Sequence, residues 1–163
     1  EIASCLVGSE MCIRDRSCTY AIGRIEPDFF EKGRNGRFFR IPVYSNTKLA
    51  LLLFTQEFAE RLQDKDITIN ASDPGIVSTN MITMQAWFDP LTDILFRPFI
   101  KTPAQGAATA IHLALSDEAK DRNGCCYANC KKRNVSERIR HHAQQKQLWD
   151  DTEILLRQKG IRF

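Results

Sequence analysis

Helix, turn and strand follow one another without a gap between Tyr44 and Gly75, and that order restricts the chain to few architectures. From Val43 or Tyr44 to about Gln63, Leu49, Leu52, Leu53, Phe58 and Leu62 recur at helical spacing and supply a broad apolar face. Glu57, Glu60 and Arg61 lie largely away from that face. Asp64-Lys65-Asp66 reads as a turn and Ile67-Thr68-Ile69-Asn70-Ala71 as a short β-branched strand, ended by Asp73-Pro74-Gly75. Further on, Thr102-Pro103-Ala104-Gln105 carries an N-cap, a proline at the first helical position and a capping-box glutamine, which predicts a helix to about Leu115. Gly124 to Ala128 reads as a final strand, and Ser136 to Lys159 as a long polar helix stopped by Gly160. Helices alternating with short strands in this way belong to α/β proteins with a doubly wound, largely parallel sheet.

Composition narrows the function. The 163 residues are 43% hydrophobic and 26% charged, as expected of one globular unit. The net charge of +3 is spread over both signs, and the basic run Lys131-Lys132-Arg133 reads as a solvated turn, so no nucleic-acid partner is expected. No apolar stretch approaches the roughly 18 residues of a membrane span. Cys125, Cys126 and Cys130 lack a second ligand pair at zinc spacing, and His112, His141 and His142 do not supply one. No metal is expected, and the thiols read as reduced and of cytosolic type.

Residues 5–16, Cys-Leu-Val-Gly-Ser-Glu-Met-Cys-Ile-Arg-Asp-Arg, fit neither a helical stripe nor a strand alternation, and they form no Gly-rich phosphate loop. The segment resembles the conceptual translation of a transposase adapter used in sequencing libraries, residue by residue up to its last, incomplete codon. A divergent amino-terminal extension is the other reading. The expectation is that 1–16 is non-native and that the natural chain begins near Ser17.

Tyr44 and Lys48 stand one turn apart on a single helix face. There an ammonium favours the phenolate, and such a phenol can pass a proton to or from a carbonyl or alcohol oxygen. The spacing alone is unspecific, since Tyr127-Ala128-Asn129-Cys130-Lys131 repeats it. Context separates the two, because Tyr44 opens a helix that leads into a strand and a Pro-Gly turn. Tyr127 sits in a short strand where Lys131 is not expected to lie over it.

With Ile69-Asn70-Ala71-Ser72-Asp73-Pro74-Gly75-Ile76-Val77-Ser78-Thr79 and Phe99-Ile100-Lys101-Thr102-Pro103-Ala104-Gln105-Gly106-Ala107, these residues resemble the short-chain dehydrogenase/reductase family, in its retinol-dehydrogenase-like branch. The likeness runs from Ser17 to the C-terminus. It implies the C-terminal part of a doubly wound Rossmann-like parallel sheet, residues 17–163, with the N-terminal half missing. The family's Gly-rich turn, its Asn-Ala-Gly segment and the asparagine of its proton relay find no counterpart here. The branch often has histidine where Asp73 stands.

The resemblance implies Tyr44 as acid/base, Lys48 as its electrostatic partner and ribose ligand, and Ser17 as holder of the substrate oxygen. Ser17 precedes Gly23-Arg24-Ile25 by the branch's spacing; an ordinary exposed serine is the other reading. Tyr44, Lys48, Pro74, Gly75, Val77 and Thr79 are the implied contacts to NADP or NAD. The apolar stretch from Trp87-Phe88 to Phe99 reads either as a substrate-covering segment, suiting a lipophilic alcohol, aldehyde or ketone, or as a helix and loop packed on the core or resting on a membrane surface. A cytoplasmic or endoplasmic-reticulum-associated location, peripheral membrane contact and a homo-oligomer are compatible with it. The rival class is a non-catalytic interaction protein that retains the fold. In either case the isolated chain is expected to be inactive.

Overall fold

The computed structural model describes residues 11–26, 29–30, 40–77 and 100–161. In chain order these form β1 (Met11–Asp15), a short 3-10 helix (Cys18–Ile22), α1 (Arg40–Arg61), β2 (Thr68–Asp73), α2 (Pro103–Leu115), α3 (Asp117–Lys120), β3 (Cys126–Ala128), β4 (Lys131–Arg133), α4 (Glu137–Arg140) and α5 (Gln145–Gln158). The sheet order is β1-β2-β3-β4. The first three strands are parallel and β4 is antiparallel to β3. This is a mixed α/β sheet of Rossmann-like kind.

Strand alternation divides the core into two layers. Ala71 and Cys126 face α1 and pack with Leu49, Leu52 and Leu53. Ile13 and Tyr127 face the other way and pack with Leu113 of α2 and Ala119 of α3. Burial pushes the Cys126 thiol above its ordinary range, against a smaller opposing effect of Arg16.

Five sequence expectations are corrected. First, α1 begins at Arg40, before Tyr44; Pro42 lies in its first turn, where a missing N–H removes no helical bond. Second, Met11–Asp15, inside the segment expected to form no element, pairs with β2 from Met11↔Thr68 to Asp15↔Ser72. The ladder is made by backbone groups, so it tolerates an unpatterned sequence. The side chains fit less well, for Nε of Arg14 and Nε and Nη1 of Arg16 are buried without a hydrogen bond. Third, Lys131–Arg133 is an exposed strand rather than a turn. The turn is Asn129-Cys130, with φ of 54° and 57°, the left-handed pair of a two-residue type I′ hairpin.

Fourth, Glu57 is 7% exposed because α5 lies across what reads as the solvent side of α1. Its carboxylate accepts from Arg61 Nε at 2.8 Å and from Gln145 Nε2 at 3.2 Å. Beside it, Phe54 and Trp149 stack at 4.8 Å with 15° between ring planes, and Arg61 covers the indole at 4.6 Å. Fifth, the long C-terminal helix is two helices, broken between Arg140 and Gln145. His142 Nδ1 accepts the backbone N–H of Gln144 at 3.2 Å, a local bond that competes with helix continuation. The expected stop at Gly160 is present: with φ 76°, its N–H reaches Arg157 O and that of Ile161 reaches Leu156 O, a Schellman closure.

Candidate active site at the carboxyl edge of the sheet

Strand direction decides which residues can meet. β1 and β2 are parallel, and α1 feeds β2 through the short turn after Arg61, so the start of α1 lies at the carboxyl edge of the sheet. Ser17 follows β1 at that edge, and Pro74-Gly75 follows β2 there. Ligands of open α/β sheets bind in this position.

Burial of Ser45, Leu49, Leu52 and Leu53 turns one face of α1 to the sheet and leaves Tyr44 and Lys48 beside it. Tyr44 is 41% exposed and Lys48 half-buried. Lys48 Nζ lies 5.6 Å from the centre of the Tyr44 ring. Thr47 Oγ1 donates to the Tyr44 carbonyl at 2.8 Å, a hydroxyl-to-backbone bond within the same turn.

Ser17 caps the 3-10 helix, and its Oγ accepts from Thr19 N at 3.5 Å and Thr19 Oγ1 at 3.2 Å. This helix packs on α1 through Gly23, which is buried against the helix at Ser45 and Leu49. Arg24 N then donates to Asn46 Oδ1 at 2.8 Å, between Tyr44 and Lys48 in sequence. Arg16 continues the β1 ladder, its N–H donating to Ser72 O at 2.6 Å. Its guanidinium stacks 4.4 Å above Tyr20 and lies 3.8 Å from the Asp73 carboxylate.

The Pro-Gly turn is held from both sides. Gly75 has φ 76°, and its N–H donates to Asp73 Oδ1 at 2.9 Å, an Asx-type turn. Lys101 Nζ donates to Pro74 O at 3.0 Å and to Asn129 Oδ1 at 2.6 Å. Val77 forms a parallel bridge with Lys101 and packs against Gly106, where a Cβ would come within 2.5 Å of its Cγ2. α2 starts here with the expected capping box, Thr102 Oγ1 accepting from Gln105 N and Gln105 Oε1 from Thr102 N. Thr79 and the stretch from Trp87 to Phe96 lie outside the described residues, as does Phe99.

The second tyrosine–lysine spacing is split by the fold. Tyr127 is fully buried in β3, its hydroxyl without a hydrogen bond and its ring 6.4 Å from that of His112. Burial pushes its phenol above the ordinary value, and Lys131 stands on the next strand, opposite Ala128. Arg16, Lys101 and Asn129 were not legible as site residues. Their partners are distant in sequence, and Arg16 falls in the segment set aside as foreign. Among the described residues no three His, Cys, Asp or Glu side chains gather as a metal site would require.

A doubly wound sheet with polar groups collected beyond the carboxyl ends of its strands defines a Rossmann-like domain. Comparison with known proteins makes the class specific. Residues 32–87 match the short chain dehydrogenase family. Retinol dehydrogenase 14 of Homo sapiens is 36% identical over 116 residues, covering 69% of this chain and 34% of the relative. Retinol dehydrogenase 12 of Mus musculus is 36% identical over 147 residues, covering 90% and 45%. The WW domain-containing oxidoreductase of Drosophila melanogaster is 32% identical over 120 residues, covering 74% and 29%. The chain belongs to the short-chain dehydrogenase family and is similar to its retinol-dehydrogenase-like members. The matches span less than half the length of these curated relatives, 29% to 45%.

Proposed function

We propose that the full-length protein is a nicotinamide-dependent oxidoreductase acting on a lipophilic alcohol and its aldehyde or ketone. The observation that carries this reading is the 5.6 Å separation of Lys48 Nζ and the Tyr44 ring centre, at the sheet edge that Ser17 and Pro74-Gly75 also reach. A hydroxyl and an ammonium on one helix face are a donor set suited to the ribose and nicotinamide end of NAD or NADP. Pro74, Gly75 and Val77 would border it, and Thr79 belongs to the same reading. Bound there, the nicotinamide supplies the hydride chemistry.

The chain's own residues do the rest. Tyr44 Oη moves a proton to or from the substrate oxygen, and Lys48 favours the phenolate through its charge. Ser17, whose Oγ already accepts from Thr19, has its O–H left to donate to that oxygen. The lipophilic substrate class rests on the names of the relatives, retinol dehydrogenases 12 and 14. Membrane contact would be peripheral as far as the described helices go, none being long and apolar enough to cross a bilayer. In the full-length protein, Tyr44→Phe is expected to abolish alcohol oxidation while dinucleotide binding stays nearly intact. Turnover that survives Tyr44→Phe would overturn the assignment.

We also propose that residues 1–16 are non-native, on the adapter resemblance of residues 5–16. Nε of Arg14, buried without a hydrogen bond, supports this. The genomic locus decides it, an uninterrupted exon encoding Cys5 to Arg16 being the contrary result.

A further inference from the structure

We infer that Lys101 is a positioning residue for the Pro74-Gly75 turn, tying it to the Asn129 hairpin and so setting how tightly a dinucleotide is held. The inference rests on the functional reading above. One end of the tie is anchored in the sheet: Asn129 follows β3, whose Cys126 and Tyr127 are fully buried. Asn129 is held at φ 54° by the β3–β4 ladder on either side of the turn. The other end is the Pro74 carbonyl.

Lys101 spans the two with one ammonium, at 2.6 Å to Asn129 Oδ1 and 3.0 Å to Pro74 O. Its own backbone is fixed, since its N–H donates to Ile76 O at 2.8 Å. Its stem also lies over Gly75. A Cβ there would meet Nζ, Cε and Cδ at 3.1, 3.2 and 3.6 Å. Pro74 is therefore tethered, and Gly75 flanked, by one side chain, which no carboxylate among the described residues claims.

Hydrogen exchange and dinucleotide titration test this together. In this chain, Lys101→Met should speed amide exchange at Gly75 about tenfold, the loss of roughly one charge-assisted hydrogen bond. Exchange at Ala71, within β2, should not change. Lys101→Arg, which keeps donors, should retain most of the protection. In the full-length protein, Lys101→Met should raise the Kd for NADPH or NADH about tenfold and leave the KM for the alcohol unchanged. Asn129→Gly removes the acceptor and keeps the left-handed turn; it should act similarly, and the double variant should be no worse than either single one.

Unchanged Gly75 exchange in Lys101→Met, or additive effects in the double variant, would overturn the tie and leave the oxidoreductase reading standing. Wild-type full-length protein that binds neither dinucleotide would overturn that reading, and with it the affinity part of this inference.

Discussion

Gly23 stands so close to the Ser45 carbonyl that a Cβ on it would lie 2.5 Å from that oxygen and 2.9 Å from Leu49 Cβ. The obstacle is helix backbone, so it cannot swing aside. Gly23→Ala is expected to cost about 1–3 kcal/mol of stability, as overpacking does. Because Gly23 seats the Ser17 helix on α1, the same change should lower turnover in the full-length protein more than it weakens dinucleotide binding. Urea unfolding and steady-state kinetics read the two effects. A Gly23→Ala chain of unchanged stability would show that the contact relaxes freely.

The two tyrosine–lysine spacings make opposite predictions. In the full-length protein, Lys48→Ala should impair both turnover and dinucleotide affinity, since one ammonium is assigned to phenolate and ribose. Tyr127→Phe removes a buried hydroxyl that has no partner and should leave turnover intact, with stability unchanged or slightly raised. Loss of turnover in Tyr127→Phe alone would reverse the choice of catalytic tyrosine.

Trp149 should matter to stability and not to chemistry. It stacks on Phe54 at 4.8 Å and donates its indole N–H to Glu153 Oε1 at 2.9 Å. Trp149→Ala is expected to cost about 3 kcal/mol, the lower end for a large aromatic because the ring is half-buried. A lower urea midpoint with an unchanged slope would read the change as lost stability, and an unshifted midpoint would contradict it.

His142 gives a pH dependence of defined sign. Burial, and secondarily the Arg138 charge, hold its imidazole below the usual 6.5. The unfolded chain therefore takes up the proton first, and folding stability should fall as pH drops below about 6.5 toward the folded-state value. Above that range the group is neutral in both states and contributes no slope. His142→Gln should flatten the profile in this window when unfolding is followed at several pH values.

Titration of this chain with NADH or NADPH should show no saturable micromolar binding. No Gly-rich turn opening a helix occurs among the described residues to supply backbone donors for a pyrophosphate. Among those residues β1 also pairs on one side only, which favours association. Monodisperse monomer with micromolar affinity would contradict both expectations.

What could be read ahead of the structure was local. The Thr102–Gln105 box, the Pro74-Gly75 turn and the Gly160 stop each act within a few residues, and each stands where its sequence places it. The misreadings of β1 and Glu57 involve partners far along the chain, whereas those of the α1 start, the Asn129-Cys130 hairpin and the break before Gln145 are local. Glu57 looks solvent-facing until Gln145, 88 residues away, is laid across it. The hairpin at Asn129-Cys130 lacks the glycine that marks such turns, so β4 passed for a loop. Lys101 shows nothing locally of its bond to Asn129, 28 residues on.

The parallel bridge between Val77 and Lys101 pins two points of the chain, 24 residues apart in sequence, against each other. Val77 and Lys101 meet at the carboxyl edge, with Lys101 N donating to Ile76 O, and each is braced independently, Val77 by Gly106 and Lys101 by Asn129. Loop-closure entropy grows only slowly with length, so a bridge fixed by its own contacts is expected to survive a change in the number of residues between its two partners. Val77 and Lys101 thus act as fixed terminals at the carboxyl edge, held by the sheet and α2 on their own account.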